Sequence, residues 1–239
     1  MSKVAIVTDS TAYIPNDLLE KHHITVAPQV LVWGQETFLD GVDIMPSQFY
    51  ARLRDAKIMP STSQVSPSTF HKIFSNLIDQ GNEVLAILIS NRLSGTMTSA
   101  YQAQDMLPGA PIAVVDSNTT AMAMGFQVLS VAKAAAEGAS LAECQKLAEH
   151  LHEKTGVIFA VDTLEFLHRG GRIGSASRFL GTALNIKPIL EVVDGRVEGI
   201  EKVRTRKKSI TRLVELVEAR MDGRKPVRLA CIHANAAED

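Results

Sequence analysis

The chain has 239 residues, 46% apolar and 21% charged, with a formal net charge of -1. That composition supports a core of ordinary size and argues against intrinsic disorder, and the near-neutral charge argues against a general nucleic-acid binder, which carries a clear basic excess. The two cysteines, Cys144 and Cys231, are far apart and lack CxxC spacing, so neither a disulfide framework nor a zinc knuckle is expected, and a reducing cytoplasm is the expected compartment.

The first segment, MSKVAIVTDS, does not have the layout of a signal peptide, and no apolar run approaches the length of a membrane span. Lys3 to Val7 is a short continuous apolar run, the pattern of a strand buried on both faces of a parallel sheet. Thr8-Asp9-Ser10-Thr11 follows, and Ile14-Pro15 opens a helix reaching Lys21. A strand is expected over Thr25 to Val32, a helix over Pro46 to Asp55, and a polar loop from Met59 to Pro67. The next helix, Ser68 to Gln80, ends at Gly81, a C-cap signal. Val84 to Ile89 reads as a buried strand, Thr96 leads a helix up to Met106, and Ile112 to Val115 is a strand ending at Asp116-Ser117. Two helices follow, Ala121 to Glu137 and Leu141 to Lys154. This alternation predicts an α/β fold whose N-terminal domain, residues 1–155, has three layers around a mainly parallel sheet.

A second, α+β domain is expected over 156–239. Val157 to Val161 reads as a strand, Leu164 to His168 as a short helix and Ser175 to Leu184 as another. Ile189 to Val193 and Val197 to Val203 flank Asp194-Gly195, a strong hairpin signal. Lys207 to Met221 is a helix and Val227 to His233 a last strand. Ala234 to Asp239 looks like the cap and first turn of one more helix, as though the pattern continued.

Hydroxyl-rich segments recur where strands end: Thr8 to Thr11, Ser90 to Thr96, and Asp116 to Thr120. Open α/β sheets bind ligands there, and helix N-termini that follow favour an anion. Ser61-Thr62-Ser63 offers the same chemistry on a loop. Taken singly such residues are ordinary helix caps; several together form a neutral cradle for one carboxylate or phosphate. Arg172, in Arg169-Gly170-Gly171-Arg172-Ile173-Gly174, is a candidate to reach that anion, with a solvated arginine in a tight turn as the plain alternative. No GxSxG elbow, GxxxxGK[ST] loop, GxGxxG turn or HExxH pair is present, and no metal-ligand spacing occurs. An enzyme acting on a small phosphorylated or acyl substrate would rest on Asp9, Ser10 and Asp116, although an aspartate at a strand end more often caps a turn. Lys202 to Lys208 is a dense basic run, suited to an acidic partner, an anionic membrane surface touched transiently, or simply solvent. The residues alone stop at a two-part α/β protein with an anion cradle.

Seven segments in order resemble the DegV family: VTDSTAYIP, Pro60-Ser61-Thr62-Ser63-Gln64-Val65-Ser66-Pro67, Leu93-Ser94-Gly95-Thr96-Met97-Thr98-Ser99-Ala100, VVDSNTTAMAMG, LEFLHRGGRIG, NIKPIL and KVRTRKKSI. The resemblance implies a soluble carrier, itself no enzyme and without a cofactor, that binds one long-chain fatty acid between its two domains. It also implies, for some members, a separate kinase subunit that phosphorylates the presented carboxyl group. Thr62 and Ser94 carry over as carboxylate-binding hydroxyls, with Ser61 and the Gly95 N–H as neighbours, and Arg204 as a surface arginine that meets the kinase. Ser61 stands where the family has threonine, and Asn91-Arg92 replaces small residues. The family's further C-terminal segment, with a Gly-Pro-rich motif and in some members a carboxylate-holding histidine, has no counterpart in this sequence; His233 does not correspond to it.

Overall fold

The computed structural model describes residues 3–181 and 186–237. The chain divides into two compact units, Met1–Thr155 and Gly156–Asp239.

The first unit is built on four parallel strands, β1 (Lys3–Asp9), β2 (Thr25–Ala27), β6 (Asn82–Leu88) and β7 (Ile112–Asp116), in the order β2-β1-β6-β7. Strand side chains alternate between faces, and both faces are buried. Val4, Ile6, Leu85, Ile87, Ala113 and Val115 pack on one side against α5 (Ala121–Ala136) and α6 (Leu141–Leu151), with Leu18 and Leu19 of α1 (Asn16–Lys21) beside them. Val7, Val84, Ala86, Leu88 and Val114 pack on the other side against Phe70 and Phe74 of α3 (Pro67–Asp79) and Met97, Ala100 and Ala103 of α4 (Thr96–Asp105). The result is the three-layer α/β/α arrangement that the alternation predicts. Helix starts carry their own caps: Ser66 Oγ accepts from the Thr69 N–H (3.1 Å), and Ser140 with Glu143 forms a capping box.

The same unit holds a second sheet of three antiparallel strands, β3 (Val30–Trp33), β4 (Glu36–Leu39) and β5 (Ser61–Ser63), in the order β4-β3-β5. With α2 (Pro46–Arg54) it encloses a small core of Leu31, Trp33 and Ile44. The Arg52 guanidinium lies 4.5 Å from the Trp33 ring centre, and the indole N–H donates to the Ile58 carbonyl at 2.7 Å.

Two expectations are corrected here. Thr25 to Val32 is not one strand. It breaks after Ala27, at Pro28, and β2 and β3 join different sheets; proline has no N–H for a ladder. The polar stretch from Met59 to Pro67 is not all loop, because Ser61–Ser63 pairs with β3, Thr62 opposite Leu31.

The second unit contains β8 (Ile158–Ala160), α7 (Glu165–Arg169), a 3-10 turn (Gly174–Phe179), β9 (Lys187–Val193), β10 (Arg196–Val203) and α8 (Arg206–Met221), with an antiparallel sheet in the order β10-β9-β8. Asp194 and Gly195 both have positive φ (47° and 74°), as a two-residue hairpin turn requires. Gly199 lets the Phe179 ring lie directly on β10: a Cβ there would be 2.5 Å from the ring. The helix expected over Ser175 to Leu184 is a 3-10 turn ending at Phe179, and Thr182 to Leu184, like Asn185 of the NIKPIL segment, lie outside the described residues. Val227 to His233 is not a strand: it has no sheet neighbour among the described residues, and Val227, Leu229 and Ile232 are exposed. β-branched composition alone does not make a strand without a partner edge. Residues 234–236 are not helical and Ala237 lies in a turn, while Glu238 and Asp239, the end of the expected helical turn, lie outside the described residues.

Candidate functional site

The strand-end segments of the parallel sheet are tied to one another. Thr8 Oγ1 donates to the Ile87 carbonyl (2.8 Å), the Ser90 N–H donates to the Thr119 carbonyl (3.0 Å), and the Asn91 N–H donates to Asp116 Oδ2 (3.1 Å). Thr8, Ser90 and Ser117 are fully buried, so these hydroxyls brace the strand ends and are out of reach of a ligand. Asp9 is also buried. Its Oδ2 accepts from the Ile89 N–H (2.8 Å), and its Oδ1 accepts from the Thr11 N–H (3.0 Å) and Thr11 hydroxyl (2.6 Å). Burial pushes the Asp9 carboxyl above the usual carboxylate range, opposed by these donors and by Gln29. Asp116 Oδ1 accepts from the Asn118 N–H at 2.7 Å. Both aspartates are therefore engaged by backbone donors of neighbouring turns, the structural use of aspartate at a strand end.

Accessible hydroxyls lie at the start of α4 and on β5, where Ser94 is half-buried and Ser61 and Thr62 are exposed. Ser94 Oγ is 2.8 Å from Thr96 Oγ1 and accepts from the Thr96 N–H at 3.3 Å. Gly95 follows Ser94 at the mouth of the helix, where the first backbone N–H groups lack intrahelical acceptors. The Gln64 side chain, just beyond β5, is seated on Gly95. A Cβ on Gly95 would lie 2.6 Å from Gln64 Oε1. This contact joins the Ser61–Ser63 strand to the Ser94–Gly95 turn. The Ser61 and Thr62 residues are exposed, and their side chains have no hydrogen-bond partner among the described residues.

Further back, Gln29 Nε2 donates to Thr96 Oγ1 (2.9 Å), the Gln29 N–H donates to Ser10 Oγ (3.1 Å), and Ser10 Oγ donates to Asp40 Oδ2 (2.7 Å). Gln29 and Gln64 were not singled out from the sequence. Gln64 lies inside one of the family-like segments, whereas Gln29 sits in an apolar stretch where a lone buried amide, needing partners, is the only signal.

Arg172 and Arg204 belong to the second unit. Arg172 is exposed, and its Nη1 donates to the Gly170 carbonyl at 2.6 Å, within the glycine-rich turn itself. Arg204 is exposed just before Thr205, whose hydroxyl caps α8 by accepting from the Lys208 N–H. Arg92, the bulky departure near Ser94, is exposed. Among the described residues no cluster of three or more His, Cys, Asp or Glu side chains is arranged to hold a metal ion, and no helix is long and apolar enough to cross a membrane.

Comparison with known proteins gives this arrangement its context. The family model described as "Uncharacterised protein, DegV family" matches residues 3–239. Protein DegV of Bacillus subtilis is 35% identical over 237 residues, covering 99% of this chain and 84% of that protein. A DegV domain-containing protein of Streptomyces coelicolor is 39% identical over 237 residues, covering 99% and 83%. Among solved structures, that of Bacillus subtilis DegV, described as a fatty acid binding protein, superposes with a TM-score of 0.89 at 35% identity, covering 100% of this chain and 85% of that one. A DegV family protein from Thermus thermophilus, described for its fatty acid binding, gives 0.85 at 36% identity, covering 93% and 79%. The match extends over both compact units, and on it the chain belongs to the DegV family.

Proposed function

We propose that this protein is a carrier for one long-chain fatty acid and holds the ligand's carboxylate at Thr62 and Ser94, with Ser61 and the Gly95 N–H beside them. The observation that carries this reading is the seating of Gln64 on Gly95, which puts an exposed hydroxyl strand against a half-buried hydroxyl turn. Neutral donors of this kind favour an ionised carboxylate. They supply no nucleophile with an adjacent base, so the arrangement serves binding. The fatty-acid binding described for relatives with the same fold supports the same ligand class.

The energetics suit a carrier. Burying about fifteen methylenes contributes roughly 12 kcal/mol at ~0.8 kcal/mol each, an upper bound before binding costs. Desolvating the carboxylate opposes this and is offset by charge-assisted hydrogen bonds of about 1.5–3 kcal/mol each. In the finer part of the proposal, the bound carboxyl group is offered to a separate kinase that forms the acyl-phosphate, and Arg204 belongs to the surface that meets that kinase. Reconstitution tests this part. Arg204→Ala protein should bind fatty acid like wild type yet lose acyl-phosphate formation when mixed with a fatty acid kinase subunit and ATP. An Arg204→Ala protein phosphorylated at the wild-type rate would remove Arg204 from the docking surface.

A further inference from the structure

Ser94 does not stand alone. Gln29 is 8% exposed and Thr96 fully buried, and the two link Ser94 to the sheet. Gln29 Nε2 donates to Thr96 Oγ1 at 2.9 Å. Gln29 also opposes the upward push that burial gives the nearby Asp9 carboxyl, whose oxygens accept from Ile89 and Thr11. Nε2 is the nearer of the two amide atoms to Thr96 Oγ1, 2.9 Å against 3.3 Å for Oε1, so the amide is the donor in the closer Gln29–Thr96 contact.

A hydroxyl has one proton to give. Thr96 Oγ1 receives from Gln29 and has two acceptors in reach, Gln29 Oε1 at 3.3 Å and Ser94 Oγ at 2.8 Å. The shorter contact is the stronger one. Ser94 Oγ then accepts from the Thr96 hydroxyl and also from the Thr96 N–H at 3.3 Å. Both of its lone pairs are filled from behind, and its own proton is left for a ligand. Each bond in such a chain polarises the next.

We propose that Gln29 and Thr96 are positioning residues that commit the Ser94 hydroxyl to donate, so that the site selects a headgroup oxygen that only accepts, an ionised carboxylate, over an alcohol of the same chain. An alcohol offers a weaker, uncharged acceptor, and its own proton finds no acceptor at Ser94. This inference rests on the carrier reading above.

The test is a titration of the delipidated full chain with palmitate and with the alcohol of equal length, for wild type, Thr96→Val, Thr96→Ser and Gln29→Met. Wild type prefers the acid. Thr96→Val, near-isosteric but without the hydroxyl, lowers the acid-to-alcohol preference about tenfold, the size of one charge-assisted hydrogen bond. Thr96→Ser restores it, which a purely structural role for the side chain does not predict, because serine restores the hydroxyl without the methyl that fills the core. Gln29→Met, which removes the donor behind Thr96, lowers the preference as well. A preference unchanged within about twofold in Thr96→Val or in Gln29→Met, at a scale where one lost bond gives about tenfold, overturns the inference and leaves the carrier reading intact. Equal wild-type affinity for acid and alcohol overturns it without any variant. A wild type that takes up neither ligand overturns the carrier reading itself.

Discussion

The Gln64 carboxamide occupies the space that a side chain on Gly95 would need, 2.6 Å from the ideal Cβ position. Gly95 has φ -74°, so the backbone there suits any residue and the glycine is required for space alone. In Gly95→Ala the methyl displaces Gln64, the far end of a flexible side chain. Stability should change by less than about 1 kcal/mol, while fatty-acid affinity falls about tenfold because the Thr62 strand loses its seat against Ser94. Chemical denaturation beside ligand titration checks this. A variant that loses stability but keeps affinity contradicts it.

Gly174 is a different case. Its φ is +51°, and an added Cβ would lie 2.0 Å from the Val197 carbonyl oxygen. A left-handed conformation costs an alanine about 1–2 kcal/mol, and the clash is with backbone, which cannot step aside. Gly174→Ala should destabilise the second unit by about 3 kcal/mol or more. Hydrogen exchange resolved by segment should show the loss in β9 and β10.

Asp9 predicts a pH dependence. Its folded-state value is raised above the ordinary 3.8, chiefly by burial. The folded protein therefore holds this proton more tightly than the unfolded chain, and the associated stability is present at acid pH and lost as pH rises through the raised value. Asparagine does not titrate. It also turns one of two acceptor oxygens into a donor where three donors converge, a loss of about 1–3 kcal/mol. Urea unfolding across a pH series should show Asp9→Asn less stable, with the gap to wild type narrowing as pH rises. A gap that widens contradicts the assignment.

Thr205 caps α8 through the Lys208 N–H. Thr205→Ala should cost about 1 kcal/mol, and Thr205→Asp should restore it. Thermal denaturation of the pair separates loss of the cap from a packing effect.

Much of the fold is legible in the sequence because three of the parallel strands carry continuous apolar runs. Lys3–Asp9, Asn82–Leu88 and Ile112–Asp116 are buried on both faces and read as continuous runs. The short strands of the antiparallel sheet are not: Ser61–Ser63 is wholly exposed and polar, so neither alternation nor hydrophobicity marks it. Pro28 did mark the break between β2 and β3, but the apolar residues on either side of it read as a single run. At the site, the sequence yields the hydroxyls and not their division of labour. Thr8, Ser90 and Ser117 are fully buried, whereas Ser61 and Thr62 are exposed, and composition cannot separate the two groups. Gln29 bonds partners 19 and 67 positions away in sequence, distances that no local pattern spans.

The most direct measurement is the native mass of gently purified protein compared with its denatured mass. The carrier account predicts an added mass equal to one long-chain fatty acid, absent from the Thr62→Ala/Ser94→Ala double variant, whose two lost bonds to the carboxylate weaken binding roughly a hundredfold or more. A wild type that is ligand-free as purified, and remains so after incubation with long-chain fatty acids, would contradict the account.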